Sequence, residues 1–295
     1  MNHLVARWRT WTWVLPAVIL LCVFVYYPIV ENIRLSFYSW SAFSPRAGFV
    51  GLDNYRTAFT DAVFQRALVN NVLYAVISIV FQVGGSLVLA AVLEEAVHQR
   101  LRGVLRTIYF IPATISITVA GILFSFVYNP QIGLVNRALH LVGLGAQEHD
   151  WLGNPHTSIF DVIAMSQWQS IGYTAVLFVV AIQRIPREIY EAARVDRAGP
   201  LRTFFSVTIP LLREMTTLVT ILTLSGAFLV FNEVMVMTGG GPSNSSQVLG
   251  TWLYQNAFLQ DDMGYAAAIA TVIFVITFAI SAAQILYTRR RRVEW

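Results

Sequence analysis

The chain has 295 residues, 56% of them hydrophobic and only 12% charged, with a mean hydropathy of +0.60. A soluble domain carries about a quarter of its residues as charges, so an apolar surface of this extent requires lipid as its solvent. The formal net charge of +4 rests on twenty arginines and no lysine. That excludes a Schiff-base lysine, a pyridoxal-phosphate anchor and a complete GxxxxGK[ST] phosphate-binding loop, so ATP-driven work would need an ATPase on another chain.

The single cysteine, Cys22, excludes an internal disulfide or a cysteine-based metal site. Six stretches reach the roughly 20 mostly apolar residues that a helix needs to cross the hydrocarbon core: 13–30, 68–93, 105–128, 158–183, 217–237 and 265–287. The first sits where a signal peptide would, but it is long, is flanked by Pro16 and Pro28, and lacks a small-residue cleavage site; it reads as a retained span.

Arginine placement orients the spans. Fifteen arginines fall before the first span, after the second, after the fourth and in the tail; the other side has Arg34, Arg46, Arg56, Arg66 and Arg137. Both termini are therefore expected in the cytoplasm. This divides the chain into an N-terminal segment (1–12), an all-α six-span domain (13–287) with a cytoplasmic loop at 185–213, and a basic tail (288–295). Beside a membrane span such a tail reads as a topological signal, and no nucleic-acid partner is expected.

Polar residues inside spans need a reason, because burying them in hydrocarbon is costly. In the second span, Tyr74, Ser78 and Gln82 share a face next to Gly84 and Gly85, and read as close helix packing. Ser116 in the third span is a weaker candidate for a cavity wall. In the following outer loop, Glu148, His149, Asp150 and His156 include metal-ligating types, but their spacing matches no helix-based pair, and a solvated loop is the plainer reading. The fourth span carries Ser166, Gln169, Ser170 and Tyr173 at i, i+3, i+4 and i+7, on one helix face. Amides and hydroxyls can pair with sugar hydroxyls, and an aromatic ring can cover a sugar's apolar face; the same groups also join helices in membranes, and the two readings stand level. The fifth span offers Phe228, Phe231, Asn232 and Glu233. Glu233 is the one carboxylate deep in the apolar second half; if the span ends a turn early, it is interfacial.

The loop at 185–213 carries the densest pattern. Pro186 suits the first turn of a helix, residues 187–197 are good helix formers, and Gly199 can adopt the left-handed conformation that ends one. Pro200 can then start a second. Two short helices meeting at a sharp corner are expected, with Ile189, Ala192, Ala193 and Val195 among charges. A loop held by anionic headgroups is the blander reading of the charges alone. The order Glu191-Ala192-Ala193, Asp196, Ala198, Gly199, Phe204 and Ile209-Pro210 resembles the EAA loop of permease subunits of binding-protein-dependent ABC importers. In that family this loop is a coupling helix docked on the ATPase, which implies docking roles for Glu188, Tyr190, Glu191, Ala192, Ala193, Asp196, Ala198, Gly199 and Phe204. Two positions depart from the family pattern: Arg197 stands where glycine is usual, and Arg213 where a second proline often occurs.

The resemblance extends along nearly the whole chain and is to the sugar-type permeases of the first maltose or glycerol-phosphate kind. It is carried by Tyr27-Pro28, Phe49–Tyr55, Ala67–Asn71, Arg106–Pro112, Asn129-Pro130, Gly133–Asn136, Thr238–Pro242 and Gly264–Ala268, in order and at matching topological positions. The chain reads as lacking the extra N-terminal spans and large outer insertion of some relatives. The resemblance implies the type I importer fold in a bacterial inner membrane, a second homologous permease, two ATPase subunits that hold ATP and Mg²⁺, and an extracytoplasmic binding protein that delivers a sugar. It implies no cofactor and no catalytic residue in this chain, and it tilts the Ser166–Tyr173 face toward the substrate path. A permease for a non-sugar solute, a secondary transporter and a membrane enzyme are the rivals. The last two leave the loop unexplained, and the spans lack the convergent acid–base set an enzyme needs.

Overall fold

A computed structural model describes residues 13–43, 48–95 and 98–289. The segment 1–12, Arg46 and the tail arginines 290–292 lie outside the described residues. Among the described residues, four helices are long and apolar enough to cross a membrane: α1 (Trp13–Leu35), α3 (Ala62–Glu95), α7 (Ser158–Ile182) and α13 (Met263–Arg289, apolar to Leu286). Two bent pairs bring the number to six if each is one span. Between these lie α2 (Asp53–Thr60), α6 (Leu134–Leu141) and a two-residue antiparallel ribbon, β1 (Tyr38–Ser39) with β2 (Gly48–Phe49), a small exception to the all-helical expectation.

Two of the expected spans are not single rods. The stretch 105–128 breaks into α4 (Gln99–Phe110) and α5 (Ile117–Val127), and the pair Arg100–Thr114 and Ile117–Val127 meets at 96°. Pro112 has no N–H to continue the ladder; a tight 3₁₀ turn, Ile111–Thr114, follows, and Ile115 and Ser116 are extended. The stretch 217–237 likewise divides. Helix α10 (Arg213–Phe228) ends at Leu229, and α11 (Asn232–Met237) starts after Phe231. The Asn71 side chain donates to the carbonyl of Ala227 at 2.7 Å, taking up one of the acceptors that a helix end leaves open. Upstream, α8 (Arg187–Val195) and α9 (Pro200–Leu211) make up the loop, and α9 meets α10 at 73°.

The chain forms two compact units. The smaller takes residues up to Asp61 with Leu253–Phe274. In it Asn32 donates to the Thr271 hydroxyl at 3.2 Å, Tyr265 donates to Asp61 at 2.8 Å, and Asn54 caps the carbonyls of Ser36 and Tyr38. Asp261 accepts from the Ser41 hydroxyl and the Ala42 amide, and the Ser41 hydrogen bond holds its carboxyl below the usual range.

The larger unit takes Ala62–Trp252 and the chain from Val275. Its core joins α3, α7 and α10 through Val83, Leu87, Phe178, Val179, Ile182 and Val219. Polar rungs run up the α3–α7 contact: Gln167 to Ser78 at 2.9 Å, Gln82 to Thr174 at 3.1 Å, and Ser86 to the Ile171 carbonyl at 2.7 Å. Within α3, a wide-turned stretch at Ile79–Gly85 lies among these contacts. At the outer end, Asn70 donates to the carbonyls of Ser245 and Gln247, and Asn71 accepts from the Leu249 amide that opens α12 (Leu249–Tyr254).

Helix α4 reaches α7 at Gly172, where a β-carbon would sit 1.6 Å from the Tyr109 carbonyl oxygen. Gly172→Val is expected to force the two helices apart and to cost about 3 kcal/mol. The readout is a lower thermal midpoint in detergent. Gly103→Ala, with open space around the new methyl, should not lower the midpoint, because alanine is the better helix former.

Candidate functional site

Two places in the larger unit concentrate polar or exposed groups that the core does not need. The first is the corner between α8 and α9. Pro186 caps α8 in an extended conformation, and the Ile189 amide donates back to its carbonyl at 3.2 Å. At the other end the Arg197 amide bonds the Arg194 carbonyl at 3.0 Å and the Ala198 amide bonds the Ala193 carbonyl at 2.9 Å. These two bonds form a Schellman motif, which requires a left-handed residue just past the helix. Arg197 is that residue, with φ +56°. Gly199 is instead extended (φ −68°, ψ 167°) and caps α9. The expectation that Gly199 supplies the left-handed turn is therefore corrected. The motif places the turn two residues after Val195, and that position holds an arginine.

The corner exposes Glu188, Glu191, Ala192 and Asp196, while Tyr190, Ala193, Ala198 and Phe204 are half-buried. The Tyr190 hydroxyl shares a hydrogen bond with that of Thr208 at 3.3 Å, tying α8 to α9, and burial pushes its phenol upward. Phe204 packs against the core under α7 and α10. The largest exposed apolar groups are Val195, Leu201 and Phe205, at 81%, 75% and 63% exposed. Sequence reasoning passed over Leu201 and Phe205; their i, i+4 spacing after Pro200 was the available signal. Behind the corner lies an open groove of about 1100 Å³, walled by Glu94, Arg102, Arg106, Tyr190, Glu191 and Arg194. In it Glu94 pairs with Arg106 and, at 3.5 Å, with Arg102.

The second place is a cavity of about 250 Å³ between α3, α7, α10 and the start of α11. Three of the four residues on the expected α7 face, Ser166, Ser170 and Tyr173, line it. Gln169 does not: its amide donates to the Ile115 carbonyl at 2.6 Å, pinning the break between α4 and α5. Tyr74, Ser78 and Gln82, read from sequence as packing, line the same cavity together with Thr174, Thr223 and Glu233. Gln82 and Ser78 are also rungs of the α3–α7 ladder, so for them both readings hold. Glu233 is 8% exposed and accepts from the Tyr74 hydroxyl at 2.9 Å. The early end of α10 makes it the second residue of α11, and it is buried within the protein. Phe228, Phe231, Asn232 and Ser116 do not line the cavity. Phe228 is buried at the end of α10, Phe231 is the turn before α11, Asn232 is exposed, and Ser116 caps α5.

Among the described residues no group of three or more His, Cys, Asp or Glu side chains could hold a metal ion. The outer-loop candidates are used locally: Glu148 meets His140 at 3.1 Å, the His149 ring lies tilted against Trp151, and Asp150 accepts from the Gly153 amide at 2.9 Å.

Residues 86–293 match the family profile described as binding-protein-dependent transport system inner membrane component. Over 279 residues the chain is 51% identical to the probable ABC transporter permease protein YurN of Bacillus subtilis (strain 168), covering 95% of each. It is 32% identical to the multiple sugar-binding transport system permease protein MsmF of Streptococcus mutans, covering 96% of each. The lactose transport system permease protein LacF of Rhizobium radiobacter is also 32% identical, over 96% of this chain and 94% of that one. Among solved structures, a bacterial ABC transporter involved in the import of the acidic polysaccharide alginate has a chain of the same fold, with TM-score 0.85, 23% identity and 99% of each chain covered.

A non-glycine residue held left-handed costs about 1–2 kcal/mol. Arg197→Gly is expected to recover about 0.5–1 kcal/mol of that after the added freedom of the unfolded glycine. Slower amide exchange at Arg197 and Ala198, the two donors of the Schellman motif, is the measurement; faster exchange there would contradict the strained corner.

Proposed function

We propose a division of labour for this chain, which belongs to the family of inner membrane components of binding-protein-dependent transport systems: the membrane cavity passes a sugar, and the α8–α9 corner transmits the work of an ATPase. The protein is a multi-pass permease subunit of a bacterial ABC importer and is not itself an ATPase. It works in a complex with a binding protein and the other transporter subunits. ATP and Mg²⁺ belong to the ATPase subunits.

The observation that carries the sugar reading is the cavity's lining. Tyr74, Ser166, Ser170, Tyr173 and Thr223 bring hydroxyl groups into a space walled on its other sides by Leu177, Val219, Leu222 and Val230. Hydroxyls set in an apolar wall suit a polyol whose ring has polar edges and apolar faces. Relatives named for sugar transport support the same class. A second, homologous permease closes the path from the other side, and two ATPase subunits sit on the cytoplasmic face.

For coupling, the exposed Val195, Leu201 and Phe205 form the apolar part of a docking surface, and Glu188, Glu191 and Asp196 form its charged part. Phe204, Tyr190 and Thr208 tie that surface to the core, so a push on the corner reaches α7 and α10. Closure of the ATPase pair then shifts packed helices between two arrangements rather than bending one in the bilayer.

Two outcomes test this reading. Glu191→Arg and Asp196→Arg are each expected to abolish uptake while the chain still inserts and co-purifies with a homologous permease; a P-loop ATPase that co-purifies with the wild type should be lost. Normal uptake in both variants would remove the corner from coupling. Tyr173→Ala is expected to lower sugar uptake several-fold with the complex intact, and unchanged uptake across a range of sugar concentrations would return the α7 face to packing.

A further inference from the structure

We propose that Glu233 acts as a charge filter in the transport cavity, admitting saccharides that are uncharged or carry an amine and rejecting those that carry a carboxylate or phosphate. This rests on the reading of the cavity as the sugar path.

Glu233 is the sole carboxylate among the residues that line the cavity, and no arginine or histidine joins it there. The tyrosine hydroxyl of Tyr74 meets one of its oxygens, and none of the ion pairs found among the described residues involves it. A carboxylate can accept about four hydrogen bonds, so one donor leaves most of that capacity open. Taking a carboxylate out of water without a counter-charge is strongly unfavourable. A charge kept inside a membrane under those terms marks a substrate path more often than a packing contact. A purely structural acceptor for Tyr74 could be a glutamine of the same shape at much lower desolvation cost.

The remaining polar groups say what approaches it. The side chains of Ser170, Tyr173 and Thr223 line the same cavity and make no hydrogen bond among the described residues. They are free to meet ring hydroxyls, while the carboxylate meets either a pair of hydroxyls or an ammonium. An ammonium supplies donors and the missing positive charge together. A uronate or phosphate brings a second negative charge within a few ångströms, in surroundings where like charges interact far more strongly than in water. The alginate transporter that shares the fold handles an acidic polysaccharide, so the fold itself does not decide the sign of the charge. The cavity's own side chains do.

The test uses the intact importer, with its ATPase subunits and binding protein, in proteoliposomes. Uptake is compared for one saccharide in three matched forms: the neutral parent, its amino derivative and its uronate. The binding protein's own affinities for the three are measured separately and divided out. Wild type is expected to move the amino form at least as well as the neutral one and the uronate about tenfold less well or worse. Glu233→Gln should collapse both differences to within about twofold while retaining neutral uptake. Thr223→Lys, which places a counter-charge in the same cavity and keeps Glu233, should shift the ratios in the same direction. Equal handling of uronate and neutral forms by wild type overturns the filter without any variant, as do unchanged ratios in a variant that still transports the neutral form. If wild type moves none of the three forms although the binding protein delivers them, the sugar reading itself falls, and the filter with it.

Discussion

A polar side chain carried into hydrocarbon is costly unless the protein supplies a partner, and the α3–α7 contact is where this chain pairs several of them. Gln167 with Ser78, Gln82 with Thr174 and Ser86 with the Ile171 carbonyl form rungs along two neighbouring helices. Apolar packing alone gives little preference for one helix neighbour over lipid, because lipid tails are as apolar as leucine. The rungs give α3 and α7 a defined register, and Phe178, Val179 and Val83 then pack in that register. The cavity, the break in the fifth span and the seat of the corner all depend on these two helices being fixed.

The breaks follow the same logic. A helix interrupted in a membrane exposes carbonyls and amides that water cannot reach, so each break needs a side chain to attend it. Gln169 serves the Ile115 carbonyl at one break, and Asn71 serves Ala227 and Leu249 at the other. The second break sets Glu233 at the start of α11, on the wall of the cavity. An interruption in a span thus becomes the device that aims a carboxylate inward.

At the corner the constraint is backbone geometry. A Schellman ending requires a left-handed residue at one position, and that position is occupied by Arg197 while Gly199 starts the next helix. Phe204, which the resemblance makes a docking residue, has the role of a half-buried contact with the core, and its neighbour Phe205 that of an exposed ring. One residue of phase decides between those roles, because adjacent residues on a helix point about 100° apart.

Composition, arginine asymmetry and the order of short motifs were enough, from sequence, to state a multi-span membrane protein, the corner of two short helices and the family it resembles. These are one-dimensional properties: length against bilayer thickness, charge against side, and proline and glycine against helix ends. Which polar residues share a cavity was not of that kind. Tyr74 and Glu233 are separated by 159 positions and meet only because α3 and α11 are brought to the same place. Gln169 sits on the same helix face as Ser166, Ser170 and Tyr173, yet it turns to a broken span. Periodicity assigns a residue to a face of its own helix; what stands opposite that face is settled by packing between helices, and there the tertiary structure alone decides.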